Sequence, residues 1–137
     1  MTQSGHSPGR DWIAIITRPT LDAFAAAFTD TVVLETSVGT GGLVGAASIR
    51  QFFDATRAMY EKIAFTRETS AGALTCLEWE GSFQGSPIAG ATLIARDGAG
   101  LIESIRLYHR PYPQVLAFSA ELSVRLRGTV APDLFVP

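Results

Sequence analysis

The chain's clearest pattern is an alternation of apolar and polar positions with period two across residues 74–110, broken by two glycine-bearing turns. In residues 74–83, Leu77, Trp79 and Phe83 share one face with Gly81, while Glu78, Glu80 and Ser82 share the other, as in a half-buried strand. Residues 101–110 repeat the pattern. Leu101, Ile105, Leu107 and His109 oppose Ser104, Arg106, Tyr108 and Arg110, which puts His109 on the apolar side. Between them residues 88–95 are apolar on both faces, which suits a strand covered on both sides. Gln84-Gly85-Ser86-Pro87 and Asp97-Gly98-Ala99-Gly100 supply tight hairpin turns, and Pro111 and Pro113 end the sheet.

Upstream the period lengthens. Trp12, Ile13, Ile15 and Ile16 predict a helix over 10–18, stopped by Pro19, with Trp12 facing inward. Thr20 caps a second helix over 21–28, apolar at Leu21, Phe24, Ala25 and Phe28. Residues 31–38 are β-branched and alternating, with Val32, Leu34, Thr36 and Val38 inward and Val33, Glu35 and Ser37 outward. Residues 46–60 predict a third helix, with Ile49, Phe52, Phe53, Thr56, Met59 and Tyr60 at helical spacing, and 63–69 a short strand leading into the main sheet. A last amphipathic helix over 114–127 carries Phe118 and Leu122 and ends at Gly128. The whole is expected to be one α+β domain over 10–128. Residues 1–9 are expected to be a disordered tail, and 129–137 an apolar, proline-broken tail that docks or frays.

At 137 residues the chain is long enough to bury a core without metal or disulfide. The single Cys76 lies within an alternating strand and reads as a packing residue rather than a nucleophile. Eleven basic residues against thirteen acidic ones give a net charge of −2 with no basic cluster, which argues against nucleic-acid partners and anionic membranes. Residues 1–9 lack the basic and apolar regions of a signal peptide, and no apolar run approaches the ~20 residues of a membrane span, so a cytoplasmic location is the default.

The glycine-rich stretch 39–45 precedes a helix but fails as a phosphate cradle. A dinucleotide fingerprint would need glycine where Val44 stands, and no Gly-Lys-Ser/Thr follows. His6 and His109 are the only histidines, so no metal set forms and no cofactor is implied. Nothing resembles a nucleophile elbow. Glu78 and Glu80 share the face opposite Trp79, where Arg106 and Arg110 are their expected ion-pair partners. Glu103 shares the His109 side by parity but lies ~20 Å along the strand.

The order of these elements, with Phe28-Thr29-Asp30-Thr31-Val32-Val33-Leu34-Glu35, Gly45 followed by Ile49-Arg50-Gln51-Phe52-Phe53, and Asp97-Gly98-Ala99-Gly100, resembles the nuclear-transport-factor-2-like superfamily over residues 12–111. That group includes the SnoaL-like cyclases and ketosteroid isomerase. The resemblance implies a cone, in which a curved, mostly antiparallel sheet wraps around N-terminal helices and leaves an apolar pocket at its open end; the C-terminal helix is an addition. Ketosteroid isomerase uses an aspartate base with a tyrosine and a protonated aspartic acid. In this chain those positions fall on Thr36, Trp12 and Thr92. Threonine is no base near neutral pH, and losing a general base costs a factor of ~10² to 10⁴, so that reaction is not expected here.

The cone and the strand parity together assign pocket residues. Trp12, Phe28, Phe53 and Tyr60, with Phe24, come from the helical side and the strand edge. Thr36, Leu77, Trp79, Thr92 and Ile94 come from the sheet, joined by Ile105 and Leu107 of the last strand. Such a lining favours a hydrophobic small molecule. His109 is the only one of this group that titrates near neutral pH, and some SnoaL-like cyclases carry an acid/base aspartate towards this part of the fold. Two readings of His109 stay open: acid/base catalysis of an isomerase, cyclase or hydratase type, or a structural role at the strand end, with the protein a non-catalytic binder or carrier. A homodimer through the outer sheet face is expected, because Ala89, Ala91, Leu93 and Ala95, with Ile102 and Tyr108, would otherwise face water.

Overall fold

The structure is a computed structural model and describes residues 8–129 and residue 135. In chain order it contains α1 (Pro8–Ile16), α2 (Leu21–Ala25), β1 (Phe28–Thr36), β2 (Gly42–Val44), α3 (Ala46–Met59), β3 (Lys62–Ala71), β4 (Leu74–Phe83), β5 (Ser86–Arg96), β6 (Ile102–Arg110) and α4 (Tyr112–Arg125). The strands form one curved, open sheet in the order β2-β1-β6-β5-β4-β3, antiparallel throughout except where β1 runs parallel to β6. This is the α+β cone anticipated from the sequence.

The stretches 74–83, 88–95 and 101–110 lie side by side as β4, β5 and β6, with Trp79 opposite Gly90 and Gly90 opposite His109. A register shift between Ala95 and Arg96 resets the parity of β6. Ile102 is buried and Glu103 exposed, so Ile102 leaves the outer face and Glu103 does not share the His109 side. The bulge, invisible to a strict period of two, is the cause.

Other boundaries also differ from the sequence reading, among them β1, which is expected over 31–38, β3, expected over 63–69, and α4, expected over 114–127. Thr20 does cap α2, its Oγ1 accepting from the Ala23 N–H at 3.1 Å, but the helix ends at Ala25 and Phe28 opens β1. Phe28 pairs with Ile102 while its ring packs 4.7 Å from that of Phe24, so strand pairing and burial override the helical spacing. The glycine loop contains β2, whose Gly42 lies so close to the Leu34 carbonyl that a side chain would be crowded. Pro8 and Gly9 belong to α1, and the Gly9 N–H donates to Glu68 Oε1 at 3.0 Å; His6 and the other residues of the expected N-terminal tail lie outside the described residues. Of the C-terminal tail, Phe135 is buried, bridges Gly39 and stacks 6.2 Å from Phe52.

All four helices put their buried side chains towards the same core, in which Phe24, Leu34, Ile49, Phe52, Leu77, Ile94, Ile105, Phe118 and Leu122 are fully or almost fully enclosed. Phe118 of α4 packs on the inner face, with ring distances of 4.9 Å to His109 and 5.0 Å to Phe83. The outer face carries exposed Glu78, Glu80, Arg106 and Tyr108 beside half-buried Ala91, Leu93 and Ala95. Its ion pairs follow the register. Arg106 pairs with Glu35 at 3.2 Å and Arg67 with Glu78 at 3.6 Å, each directly across a strand pair, in place of the expected Glu78 and Glu80 pairs with Arg106 and Arg110.

Candidate functional site

Helix α3 ends at Met59, and Tyr60 turns extended (φ −71°, ψ 133°) while its N–H still donates to the Thr56 carbonyl. That cap carries the phenol across the inner face of the sheet. Its ring meets Trp79 at 5.5 Å and Phe118 at 5.2 Å, and its Oη lies 2.8 Å from His109 Nε2. Trp79 can occupy this layer because its cross-strand partner is Gly90; a Cβ there would collide with the indole and with the Tyr108 carbonyl.

His109 is on the inner face, as parity predicts, and is 7% exposed. Its backbone N–H donates to Ser37 Oγ at 2.8 Å, which pins the end of β6 to the turn after β1. Trp79 approaches the imidazole edge-on at 5.1 Å, and the Phe118 ring lies tilted against it at 4.9 Å. Nδ1 is buried without a hydrogen-bond partner. Burial among these rings disfavours the imidazolium and pushes the His109 pKa down to about 3, and the same burial pushes the Tyr60 phenol above its ordinary value. Both side chains are therefore neutral at physiological pH.

Beside this pair a cavity of about 420 Å³ opens towards α1 and the start of β3. Its buried wall is made by Trp12, Phe53, Thr56, Trp79, Thr92 and Leu107, with half-buried Tyr60 and Phe65. Charge is confined to the exposed rim, at Arg57, Glu61 and Lys62. There Arg57 pairs with Asp54, and the Glu61 carboxylate accepts the Gly85 N–H at 3.1 Å. Among the described residues no three His, Cys, Asp or Glu side chains gather as metal ligands, and no helix is long and apolar enough to cross a membrane.

Of the residues expected at the pocket, Trp12, Phe53, Tyr60, Trp79, Thr92 and Leu107 line the cavity. Phe28, Leu77, Ile94 and Ile105 are core residues that do not, and Phe24 and Thr36 lie apart from it as well. Parity identifies the inner face but not how far the helices fill it: Phe24 packs on Phe28, and Thr36 Oγ1 accepts the Val38 N–H at 3.2 Å in the turn after β1. His109 does not line the cavity; it packs behind Tyr60 and Trp79, which do. Gly81, grouped with the pocket face by alternation, leaves room for backbone instead. A Cβ there would collide with the Lys62 carbonyl, so Gly81 permits the close approach of β3. That approach brings Ile63, Ala64 and Phe65 to the cavity, together with Ile13, Ile16 and Thr17 of the α1 region. For the β3 residues, Gly81 in mid-strand was the one sequence signal.

The family model of the SnoaL-like domain matches residues 10–104. No curated protein matches the chain. Among solved structures, a steroid Δ-isomerase from Pseudomonas aeruginosa superposes with a TM-score of 0.77 at 20% identity, covering 86% of this chain and 88% of that one. A protein of cystatin-like fold from Silicibacter pomeroyi gives 0.80 at 16% identity over 93% and 90% of the two chains. A protein with a ketosteroid isomerase-like fold from Catenulispora acidiphila, in complex with trimethylamine, gives 0.60 at 24% identity over 82% and 92%. At these identities the structural likeness speaks for the fold alone. The family match spans more than half of the sequence, from α1 to the start of β6, and on that ground the chain belongs to the SnoaL-like domain family.

Proposed function

We propose that the protein binds an uncharged, hydrophobic small molecule in the cavity between α1, the end of α3 and the inner face of the sheet. The supporting observation is the buried wall itself: about 420 Å³ bounded by two tryptophans, Phe53, Phe65 and Leu107, with hydroxyls and indole N–H groups as its side-chain polar groups and no charge below the rim. A carboxylate or ammonium at that depth would be desolvated without a countercharge.

The binding reading is favoured over acid/base catalysis by His109. An imidazole with a pKa of about 3 is a weak proton acceptor at neutral pH, and its contact with the cavity runs through Tyr60. An isomerase-, cyclase- or hydratase-type reaction in this site would draw on hydrogen-bond donation to the substrate rather than on a strong base. We further propose that two copies associate through the outer sheet face around Leu93 and Tyr108, which is apolar at its centre and charged at its margins.

Titration with N-phenyl-1-naphthylamine, an uncharged apolar fluorophore, tests the binding reading. The expected result is saturable quenching of Trp12 and Trp79 with one probe per chain. Unsaturable or absent quenching counts against it.

A further inference from the structure

We infer that Tyr60 is a hydrogen-bond donor of the cavity, that His109 is the positioning residue which frees it to donate, and that the ligand presents a hydrogen-bond acceptor on an otherwise apolar skeleton. The inference rests on the binding reading above and adds a polar contact and a ligand class to it.

The 2.8 Å contact between Tyr60 Oη and His109 Nε2 can run in either direction, and the imidazole tautomer decides which. A proton on Nδ1 would make Nε2 the acceptor of the Tyr60 O–H. It would also leave an N–H buried among Trp79 and Phe118 with no acceptor, because Nδ1 has no partner. Orphaned buried N–H groups are the rarest kind of unsatisfied polar group, rarer than an unpaired acceptor. A proton on Nε2 avoids this. The ring then donates to Tyr60 Oη and only a bare lone pair remains at Nδ1.

The consequence falls on Tyr60. Its oxygen accepts from His109, and its own proton has no acceptor among its contacts in the protein. Tyr60 lines the cavity, which is where an acceptor for that proton can enter. Burial keeps both groups neutral, which preserves this arrangement across the physiological range. Thr56, another hydroxyl of the wall, already donates to the Phe53 carbonyl at 3.2 Å. The matching ligand is neutral, since the wall offers no charge to balance one. It is large and apolar enough to cover the tryptophans, and it carries a hydrogen-bond acceptor.

Fluorene and 9-fluorenone make a matched probe pair, flat and uncharged and differing by one carbonyl. Wild-type protein is expected to prefer the ketone. Tyr60→Phe should lower 9-fluorenone affinity about tenfold and leave fluorene unchanged, the loss of one buried hydrogen bond. His109→Gln should erode the same preference without affecting fluorene, an effect that a purely structural role would spread over both probes. Long-range ¹H–¹⁵N correlation of the imidazoles in the unliganded wild type, with His109→Gln to assign the signals, should show His109 protonated at Nε2. A proton on Nδ1 would overturn the donor assignment even with both probes bound. So would a ketone preference that survives Tyr60→Phe, or one abolished by Thr92→Val instead. Fluorene binding with no preference for the ketone overturns the inference while the binding reading stands, and binding of neither probe overturns both.

Discussion

The buried imidazole makes folding itself pH dependent. In the unfolded chain His109 titrates near the ordinary value of about 6.5, whereas in the native state burial lowers its pKa to about 3. Tyr60, Trp79 and Phe118, the side chains whose rings pack on it, bring no countercharge. Between the two values the unfolded chain holds one proton more than the native one. The contribution of His109 to stability is therefore complete above the unfolded pKa and is lost as the pH falls towards 3. Each pH unit below 6.5 costs about 1.4 kcal/mol, so this one residue removes about 2 kcal/mol between pH 7.5 and pH 5. Urea unfolding of wild type and His109→Gln at both pH values isolates the effect, because the carboxylates titrate alike in both proteins. The variant is expected to be less stable at pH 7.5, where it loses the Tyr60 contact, yet to lose about 2 kcal/mol less than wild type on going to pH 5. Parallel pH dependence in the two proteins would mean that the native ring is solvated or charged, and the picture of an enclosed neutral histidine would be refuted.

Gly90→Ala should destabilise by about 3 kcal/mol in urea unfolding, since its new methyl meets a backbone carbonyl that cannot move aside and the indole of Trp79. Loss of less than about 1 kcal/mol would show that the Trp79 layer is looser than described. Light scattering at micromolar concentration should report a dimer that Leu93→Arg converts to monomer, burying ~800 Å² per partner; a monomeric wild type sinks that interface. Conversion of a Δ5-3-ketosteroid should not exceed solvent background, because Trp12 and Thr92 stand on the cavity wall where that chemistry needs a tyrosine and an acid, and Thr36 lies outside it. Measurable turnover would show that proton transfer there needs no carboxylate.

Period-two alternation was enough to place β4 and β6, because each has one face on the core and one in water; β5, apolar on both faces, was bracketed by the two turns, and helical spacing was enough for α3. It failed where the backbone changes register. The slip at Ala95 moved Ile102 from the outer face to the core, and no residue type announces such a slip. β2 was hidden inside a glycine stretch whose composition reads as loop, although Gly42 is there to let β2 approach Leu34. β3 shows no clean alternation because it is an edge strand, exposed over most of its length, and its curl over Gly81 is what brings Phe65 to the cavity. The candidate site was legible to the same depth. Half of the expected lining residues surround the cavity, while the partnership of Tyr60 with His109 joins residues 49 positions apart and depends on a cap geometry that no periodicity encodes.

A crystal structure of the protein with 9-fluorenone bound is the most direct test of the central claim. The account predicts one molecule in the cavity, its rings between Trp12 and Trp79 and its oxygen within hydrogen-bond distance of Tyr60 Oη, with His109 still seated on the far side of that hydroxyl. A ligand found on the outer sheet face, or one inside the cavity with its carbonyl turned to the Arg57 and Lys62 rim, would contradict it.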